Sequence, residues 1–545
     1  MSEKIPGKVE RVGRETLFRA YATDSRITLN ESYNLIDKQP GDDQVPGGYP
    51  YTRGITKDGY REELWHRDIY AGFGNAEDSS ERYRDLLAGG ASGVNIALDL
   101  PTQLGYDSDH PDALAEVGKV GLAVDALPDV VDAFLGISLA DAKTVFTVAN
   151  GIGPIALAWF LALGQRQGVP PENYVVHLQN DPLKEFTGRG AFVLPLEASV
   201  QLACDVVEYV ARHGYMHWKP IGICGSQYRW GGGSAYEEVG LAIASARYYI
   251  EELLRRGLSI DDFGPLLELH LAADMDFLEE AAKFRAGRRV WAKMMKNDYG
   301  ARLPESQHLR VSLYTGGYRL TAQEPLNNAV RITLQALSAV LGGIQHLGTL
   351  SIDEALATPS AEAARLAIQT QNILAFETSL AAAADPLGGS YLVEALTDEL
   401  ESRISEVMTT IADQGGITKA IRSGYVQALI DDASYQYQVE IENQVRPVVG
   451  VNVLRQGDTD GTVVKTFRIS RASAERQLKR LAEHRQSRDH GAVERALGEV
   501  QRTAEAKKNI VESLVAAVQS GATVGEVSDR LRSVFGTWDS DGVQL

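Results

Sequence analysis

The chain has 545 residues, of which 44% are hydrophobic and 23% are charged, and its formal net charge is −19. This length suffices for one large core with a smaller unit, and the composition is typical of a globular protein. Basic residues do not recur in a stripe with aromatic residues, which argues against nucleic acid as a partner.

The cysteine content indicates the compartment. Cys204 and Cys224 are too few for a secreted disulfide framework, so we predict a reducing, cytoplasmic location. Neither a CxxC pair nor an HExxH motif occurs, and we predict no metal site. The polar amino terminus lacks the apolar core of a signal peptide, and no apolar run approaches the roughly 20 residues that span a bilayer.

Short apolar or β-branched runs alternate with longer helical patterns beyond residue 60. The runs are GVNIALDLP from Gly93, TVFTVANG from Thr144, YVVHLQND from Tyr174, PIGICGSQ from Pro220, LELHLAAD from Leu267, LRVSLYTGG from Leu309, LGGIQHLGT from Leu341 and TQNILAFET from Thr370. Eight strand–helix units predict an α/β fold, a closed parallel (β/α)8 TIM barrel, over residues 61–395.

The two ends of the chain have different patterns. Residues 1–60 are rich in Gly, Pro and turn formers and predict an extended N-terminal arm. Residues 396–545 have a charged, helical pattern and predict a C-terminal helical extension. Charged helices of this kind are usually solvated faces; the alternative is that they pack on the barrel and continue toward a partner.

Polar or small residues follow each of the eight runs. They are Asp99, Thr102, Asn150, Gln179, Asn180, Gln227, Asp274, Thr315, His346 and Glu377. Active sites of such barrels form at the carboxyl-terminal strand ends, so these groups are predicted to converge on the barrel axis. Any one of them has the alternative of being an ordinary cap or turn, but the whole ring favours an enzyme.

Ten segments together resemble the methylmalonyl-CoA mutase family over nearly the whole chain. They are YPYTRG (49–54), YAGFG (70–74), LDLPTQLGYDSDHP (98–111), EVGKVG (116–121), QNDPLKEF (179–186), FRAGRRVWA (284–292), LTAQEPLNN (320–328), DPLGGSY (385–391), VVGVN (448–452) and ATVGEVSDRLRSVFG (522–536). The resemblance implies a (β/α)8 barrel that binds acyl-CoA through its middle. It also implies a radical 1,2-exchange of a hydrogen and a carbon-bearing group, with adenosylcobalamin as cofactor.

In this family a separate α/β domain carries the cobalamin, and a D-x-H-x-x-G motif there supplies the cobalt ligand. The motif is absent from this sequence, because neither His484 nor His490 has the required neighbours. We therefore expect the split arrangement, in which a small cobalamin-binding subunit is the partner. A heterotetramer of two large and two small subunits is typical of similar enzymes.

The resemblance also implies roles for residues of the substrate site. Tyr70 matches a tyrosine that lies against the substrate and helps drive homolysis; the alternative is a core aromatic. Arg189 matches an arginine that pairs with the free carboxylate of the substrate, whereas relatives with unbranched or hydroxylated acyl groups carry an amide there. Its alternative is a surface salt bridge. Gln179 matches a glutamine that lines the substrate site.

Three further residues are assigned by the same resemblance. Ala97 matches the small residue beside the migrating group, where hydroxyacyl mutases place an aspartate. Glu377 matches a glutamate near the adenosyl ribose. Arg285 is implied to reach a CoA phosphate, although Arg288 and Arg289 suit that role equally, or the three form a structural cluster.

The sequence departs from the family pattern at the predicted pocket. Gln227 stands where most relatives have a histidine that hydrogen-bonds the thioester carbonyl; an amide can donate a hydrogen bond but cannot act as a general acid. The family segment TQSLHTNS is IQHLGTLS here, so Gly348 enlarges the pocket floor on the cofactor side and His346 arrives two residues earlier. His177 replaces a threonine and places a titratable group near the expected substrate carbonyl.

These departures leave three hypotheses open. The first is an active mutase of a branched acyl-CoA, converting methylmalonyl-CoA to succinyl-CoA or acting on a close analogue, or on an isobutyryl-type or hydroxylated acyl-CoA. The second is a non-catalytic structural subunit, against which the retained Tyr70, Gln179, Arg189 and Glu377 argue. The third is a barrel enzyme that acts on acyl-CoA without cobalamin.

Overall fold

A computed structural model describes residues 23–28, 44–455 and 471–538. Most of the predicted N-terminal arm, 1–22 and 29–43, lies outside the described residues. Residues 44–60 form turns and the start of a short 3-10 helix, Gly59–Arg61.

Eight short parallel strands form the centre of the molecule. They are β1 (His66–Asp68), β2 (Val94–Ile96), β3 (Thr144–Val148), β4 (Val175–Gln179), β5 (Ile221–Cys224), β6 (Leu267–Ala273), β7 (Arg310–Thr315) and β8 (His346–Gly348). Hydrogen-bonded neighbours follow the orders β1-β8-β7-β6-β5 and β2-β3-β4. Single parallel bridges, Ala71 with Ile96 and His177 with Lys219, join the two sheets where the ring would otherwise be open. The predicted (β/α)8 fold is confirmed, with two of its seams held by single bridges.

The structure corrects which segments of the chain form the first and the last strand of the barrel. β1 is absent from the prediction because its sequence, HRD, contains no apolar run. The strand predicted from Thr370 is wrong, because Ala361–Phe376 is an α-helix whose cap residue Ser360 accepts a hydrogen bond from the Ala363 amide. Glu377 follows this helix rather than a strand and therefore lies away from the carboxyl-terminal strand ends.

Helices surround the strands on the outside. They are α1 (Ala76–Ala88), α2 (Leu100–Gln103), α3 (Leu127–Ala133), α4 (Leu139–Ala142), α5 (Gly153–Gln167), α6 (Leu196–Arg212), α7 (Ser226–Trp230), α8 (Ala235–Arg255), α9 (Ile260–Phe263), α10 (Phe277–Asn297), α11 (Pro304–Gln307), α12 (Asn327–Leu341), α13 (Ala361–Phe376), α14 (Tyr391–Asp413), α15 (Ile417–Arg422), α16 (Tyr425–Glu442), α17 (Arg471–Ser487), α18 (His490–Glu505), α19 (Val511–Ser520) and α20 (Val524–Phe535). The principal connecting helices are α1, α3, α5, α6, α8, α10, α12 and α13. α5 is buried over most of its circumference, since it packs on the barrel and also beneath α19.

The predicted helical extension is confirmed in its described part. α14 packs against α8 and α10, so the predicted domain boundary at 395/396 falls inside a helix that belongs to the barrel wall; the division into domains stays a prediction. The last helices are fixed to the loop after β2 through the buried Asp107. Its carboxylate accepts hydrogen bonds from Thr523 (2.6 Å), the Gly525 amide (2.8 Å) and Arg485 (2.6 Å).

Gly348 ends β8 beneath the ring of Tyr314. A Cβ atom added at Gly348 would lie 2.2 Å from Cδ1 of that ring, which is far inside van der Waals contact. The Tyr314 side chain is buried, and its hydroxyl accepts a hydrogen bond from Asn95 (2.8 Å). The ring therefore cannot easily move aside. Only glycine at this position lets the ring lie across the inside of the barrel.

We predict that Gly348→Ala lowers the free energy of unfolding by about 1–3 kcal/mol, the usual cost of overpacking a core. Urea denaturation of the purified protein measures the change. The matched control is Gly498→Ala inside α18, where the nearest atom to the new Cβ is the flexible end of Arg502 at 3.5 Å. There alanine should be neutral or slightly stabilising. Equal losses at both positions would contradict the packing argument.

Candidate active site at the barrel axis

A buried histidine–carboxylate pair crosses the inside of the barrel between β4 and β6. His177 Nε2 contacts Glu268 Oε1, and the same oxygen accepts a hydrogen bond from Ser312 (2.7 Å), which also contacts Nδ1 of His270 (3.0 Å). Burial opposes the charged form of Glu268, but the charge and hydrogen bond of His177 outweigh it and lower the pKa of Glu268 to about 2. Burial lowers the pKa of His177 to about 4 and that of His270 to about 3.

A second pair lies on the opposite side, between β1 and β8. His346 Nε2 lies 2.7 Å from Asp68 Oδ2, and the other Asp68 oxygen accepts a hydrogen bond from Asn95 (3.0 Å). Asp68 raises the pKa of His346 above its ordinary value despite the opposing effect of burial. His66 stands opposite His346 in the strand register, with its ring centroid 4.8 Å away.

Five rings close together fill the barrel at this level, and we call them the ring cluster: Phe146, His177, His270, Tyr314 and His346. The Phe146 centroid lies 4.4 Å from that of His177, 5.2 Å from that of His346 and 6.2 Å from that of Tyr314. The rings of His177 and His346 are 5.1 Å apart, and those of His270 and Tyr314 are 4.9 Å apart. The ring cluster therefore divides the axis into two levels.

A cavity of about 870 Å³ lies on the amino-terminal side of the ring cluster. Residues at or near the strand starts line it, including His66, Ser92, Thr144, Val175, Glu268 and His346. Six basic residues also belong to its lining: Arg53, Arg67, Lys143, Lys219, Arg288 and Arg310. Burial, with the nearby charge of Arg310, lowers the pKa of Lys219 to about 7. The volume is in the range of small-molecule sites, and the cations suit an anionic ligand.

Polar side chains gather at the carboxyl-terminal end of β4 and in the loop that follows it. Gln179 accepts a hydrogen bond from Lys184 (2.8 Å), and both side chains are buried. The buried Glu185 accepts hydrogen bonds from Asn150 (2.8 Å) and from Nη1 of Arg189 (3.3 Å). The Arg189 side chain is 29% exposed, so the rest of its guanidinium can meet a ligand.

Tyr70, Gln227 and Ala97 complete this face of the barrel. The Tyr70 ring lies 5.7 Å from the Tyr314 ring, and burial raises the pKa of Tyr70 to about 12, so its phenol keeps its proton. Gln227 is the second residue of α7 and lies next to the loop that carries Arg189, since a Cβ at Gly188 would lie 3.5 Å from Gln227 Cγ. Ala97 follows β2 and is buried. The structure thus brings together Tyr70, Gln179, Arg189 and Gln227 near the strand ends.

Three predicted site residues lie elsewhere. His346 begins β8, and therefore lines the amino-terminal cavity instead of the strand-end face. Glu377 is exposed at the end of α13, which returns toward the amino-terminal face; beside it, Phe376 packs against Arg67 of the cavity lining. A ribose-binding role for Glu377 at the strand ends is not compatible with this placement.

Arg285 lies inside the wall of the barrel and not at a ligand surface. Its side chain is fully buried and forms ion pairs with Glu394 (2.6 Å) and Asp385. These partners satisfy the guanidinium, so the structure corrects the expectation that Arg285 contacts a CoA phosphate. Arg289 pairs likewise with Asp398, which supports the alternative of a structural cluster.

The sequence reasoning also missed polar residues at this face. Lys184 and Glu185 belong to the QNDPLKEF segment, in which only Gln179 was assigned a role. Two adjacent charged residues gave no further indication of a site. Glu354 lies in the loop after β8; surrounding protein and the neighbouring Asp353 raise the pKa of Glu354 to about 7, although part of its side chain is exposed.

Comparisons with known proteins agree with this architecture. The family model described as methylmalonyl-CoA mutase matches residues 22–537. Similar proteins include the 2-hydroxyisobutanoyl-CoA mutase large subunit of Aquincola tertiaricarbonis, 37% identical over 93% of this chain and 90% of that protein. Methylmalonyl-CoA mutase of Cereibacter sphaeroides is 37% identical over 91% of this chain and 69% of its own length. Human mitochondrial methylmalonyl-CoA mutase is 35% identical over 94% of this chain and 68% of its own length.

No helix within the described ranges is both long enough and apolar enough to cross a bilayer.

The neutral, buried histidines predict a pH-dependent stability. Between pH 6.5 and 4, His270 stays uncharged in the folded chain but takes up a proton in the unfolded chain, so stability falls as pH falls. The free energy of unfolding should fall less between pH 7 and pH 5 in His270→Gln than in the unmodified protein, by about 2 kcal/mol. Urea titrations at pH 7, 6 and 5 measure it, with the exposed His213→Gln as control. An unchanged slope would refute a neutral His270.

Proposed function

Because the chain belongs to the methylmalonyl-CoA mutase family, we propose that it is the substrate-binding, catalytic large subunit of an adenosylcobalamin-dependent acyl-CoA mutase. The proposed reaction is the rearrangement of a branched acyl-CoA that carries a second carboxylate, methylmalonyl-CoA to succinyl-CoA or a close analogue. The reaction class is that of an intramolecular transferase.

Arg189 is the observation that carries the choice of substrate. Its guanidinium lies close enough to Tyr70 for its charge to act there, Glu185 binds only its Nη1, and the preceding Gly188 lies beside Gln227. The remaining N–H groups form a planar fork that matches a carboxylate bidentately. Glu185 orients the fork and, because it is buried, keeps it from turning outward. A neutral acyl group would leave this cation without a partner in the ligand.

The two levels of the axis support a route for the substrate. We place the phosphates of CoA at the cations of the amino-terminal cavity and the acyl group at the strand-end face. The pantetheine arm then follows the axis, and the ring cluster has to shift when it passes. Gln227 and Gln179 supply amide groups that can polarise the thioester carbonyl without donating a proton to it.

The strand-end face also fits a large cofactor presented from outside. Three apolar side chains are exposed on the loops after β2 and β8: Leu114 (53%), Val120 (69%) and Leu356 (41%). Thr358 donates a hydrogen bond to the Lys119 carbonyl (3.5 Å), so the two loops adjoin. Exposed apolar groups of this kind mark an interaction site.

The family is generally adenosylcobalamin-dependent, and adenosylcobalamin, when bound, supplies the carbon radical that abstracts hydrogen from the substrate. The residues of this chain hold the substrate and exclude water while the radical exists. We propose that the protonated Tyr70 packs against the acyl group and that Glu354 contacts a polar group of the cofactor. We propose that a small cobalamin-binding subunit presents it; one relative is by name a large subunit.

Two observations favour alternatives. The similarity to a 2-hydroxyisobutanoyl-CoA mutase supports a hydroxylated acyl-CoA as substrate, although Ala97 and Arg189 speak for a dicarboxylic one. The ring cluster fills the axis, which supports a non-catalytic subunit whose barrel no longer admits a pantetheine arm. Turnover of a dicarboxylic thioester supports the proposal, turnover of a hydroxylated thioester alone supports the first alternative, and no turnover supports the second.

We predict that Arg189→Gln raises KM for methylmalonyl-CoA about 10- to 100-fold, because a charge-assisted hydrogen bond contributes about 1.5–3 kcal/mol. KM for a monocarboxylic thioester such as isobutyryl-CoA should not rise. Assays combine the chain with its small subunit and adenosylcobalamin, and detect the isomerised thioester by mass spectrometry.

Arg212→Gln is the matched control, because Arg212 also pairs with a glutamate four residues earlier but lies exposed on α6. It should leave both KM values unchanged. Equal effects of Arg189→Gln on both substrates would refute the carboxylate role. No turnover by the unmodified protein on any dicarboxylic, branched or hydroxylated thioester would refute the proposed function and favour the non-catalytic subunit.

A further inference from the structure

His66, Asp68 and His346 form a compact group on one wall of the barrel, which we call the His–Asp–His cluster. His66 and His346 stand opposite each other in the β1–β8 register, and Asp68 lies two residues along β1. One ligand atom from each residue can be chosen so that all three lie within 4.8 Å of one another. Asp68 Oδ2 is 2.7 Å from His346 Nε2 and 3.5 Å from His66 Nε2.

The hydrogen bonds of the cluster are incomplete. His66 Nε2 and His346 Nδ1 are buried, and neither has a hydrogen-bond partner among the described residues. The His346 side chain is only 5% exposed, so water does not compensate freely. A buried polar nitrogen without a partner costs free energy and requires an explanation. A ligand bound at Asp68 would also give His66 Nε2 a partner, because this nitrogen lies 3.5 Å from the Asp68 carboxylate.

The outer contacts of the cluster suit a metal site. Asn95 fixes the second oxygen of Asp68 (3.0 Å) and is itself held by Tyr314 (2.8 Å), as outer contacts orient metal ligands.

We propose that the His–Asp–His cluster binds one divalent transition-metal ion through two imidazole nitrogens and one carboxylate oxygen. Two imidazoles favour zinc, cobalt(II) or iron(II) over magnesium or calcium. An ion about 2.1 Å from each ligand needs ligand atoms roughly 3–3.4 Å apart, so the longest separation has to shorten and the 2.7 Å contact between Asp68 and His346 has to lengthen. His66 and His346 both line the 870 Å³ cavity, so the open coordination positions face it.

The cluster adjoins the proposed path of the substrate, because His66 and His346 line the same cavity, but metal binding is measured without turnover, so its failure would not refute the mutase function. No local sequence motif predicted the cluster. Asp68 and His346 are 278 residues apart in the chain and belong to no local ligand motif. Their approach results only from the closure of the barrel between its first and last strands. The prediction of no metal site was based on local motifs alone.

The test measures metal binding directly. Full-length protein without a polyhistidine tag is stripped of metal and titrated with Zn²⁺ by calorimetry, and Co²⁺ binding is followed by its visible absorption. We expect one ion per chain. His66→Gln, Asp68→Asn and His346→Gln should each weaken binding at least about 100-fold, as loss of one of three ligands does.

His217→Gln is the control, because His217 also belongs to the cavity lining but is exposed and contacts only backbone carbonyls. It should bind like the unmodified protein. Asp68→Asn removes the partner of His346; if this variant fails to fold, His66→Gln decides, since His66 Nε2 has no hydrogen-bond partner among the described residues. Absence of stoichiometric binding, or binding that survives His66→Gln, would overturn the proposal.

Discussion

Two carboxylates inside the barrel, Asp68 and Glu268, are the constraint on which the rest of the interior depends. A buried carboxylate costs several kcal/mol unless it is paired and hydrogen-bonded. His346 and His177 meet this requirement from opposite sides, and both rings are thereby fixed across the axis. Phe146 packs between them, and the axis is divided at that level.

The division gives the two faces of the barrel separate tasks. Below the ring cluster the cavity offers basic side chains and the His–Asp–His cluster; above it lie Gln179, Arg189 and Gln227, where we propose that the acyl group binds. A long ligand with a phosphate end and a reactive end can use both levels at once.

The fold was largely predictable, because seven of the eight strands are apolar runs separated by helical lengths of chain. β1 was not, since its interior residues are polar and its partners come from the far end of the chain. The helix misread as a strand shows the ambiguity of a short apolar run such as NILAF. The candidate site residues Gln179 and Arg189 could be proposed from the family resemblance; the pairs of His346 and His177 could not be predicted, because barrel closure alone creates them.

The central claim is that acyl-CoA occupies the barrel axis and reaches the strand-end face through the ring cluster. A crystal structure of the holoenzyme with CoA or a non-reactive thioester tests it most directly. We predict density for the pantetheine arm along the axis, phosphates at Arg67, Lys143, Lys219 or Arg310, and displaced rings of Phe146 and His177. CoA bound outside the barrel, with these rings unmoved, would contradict the account.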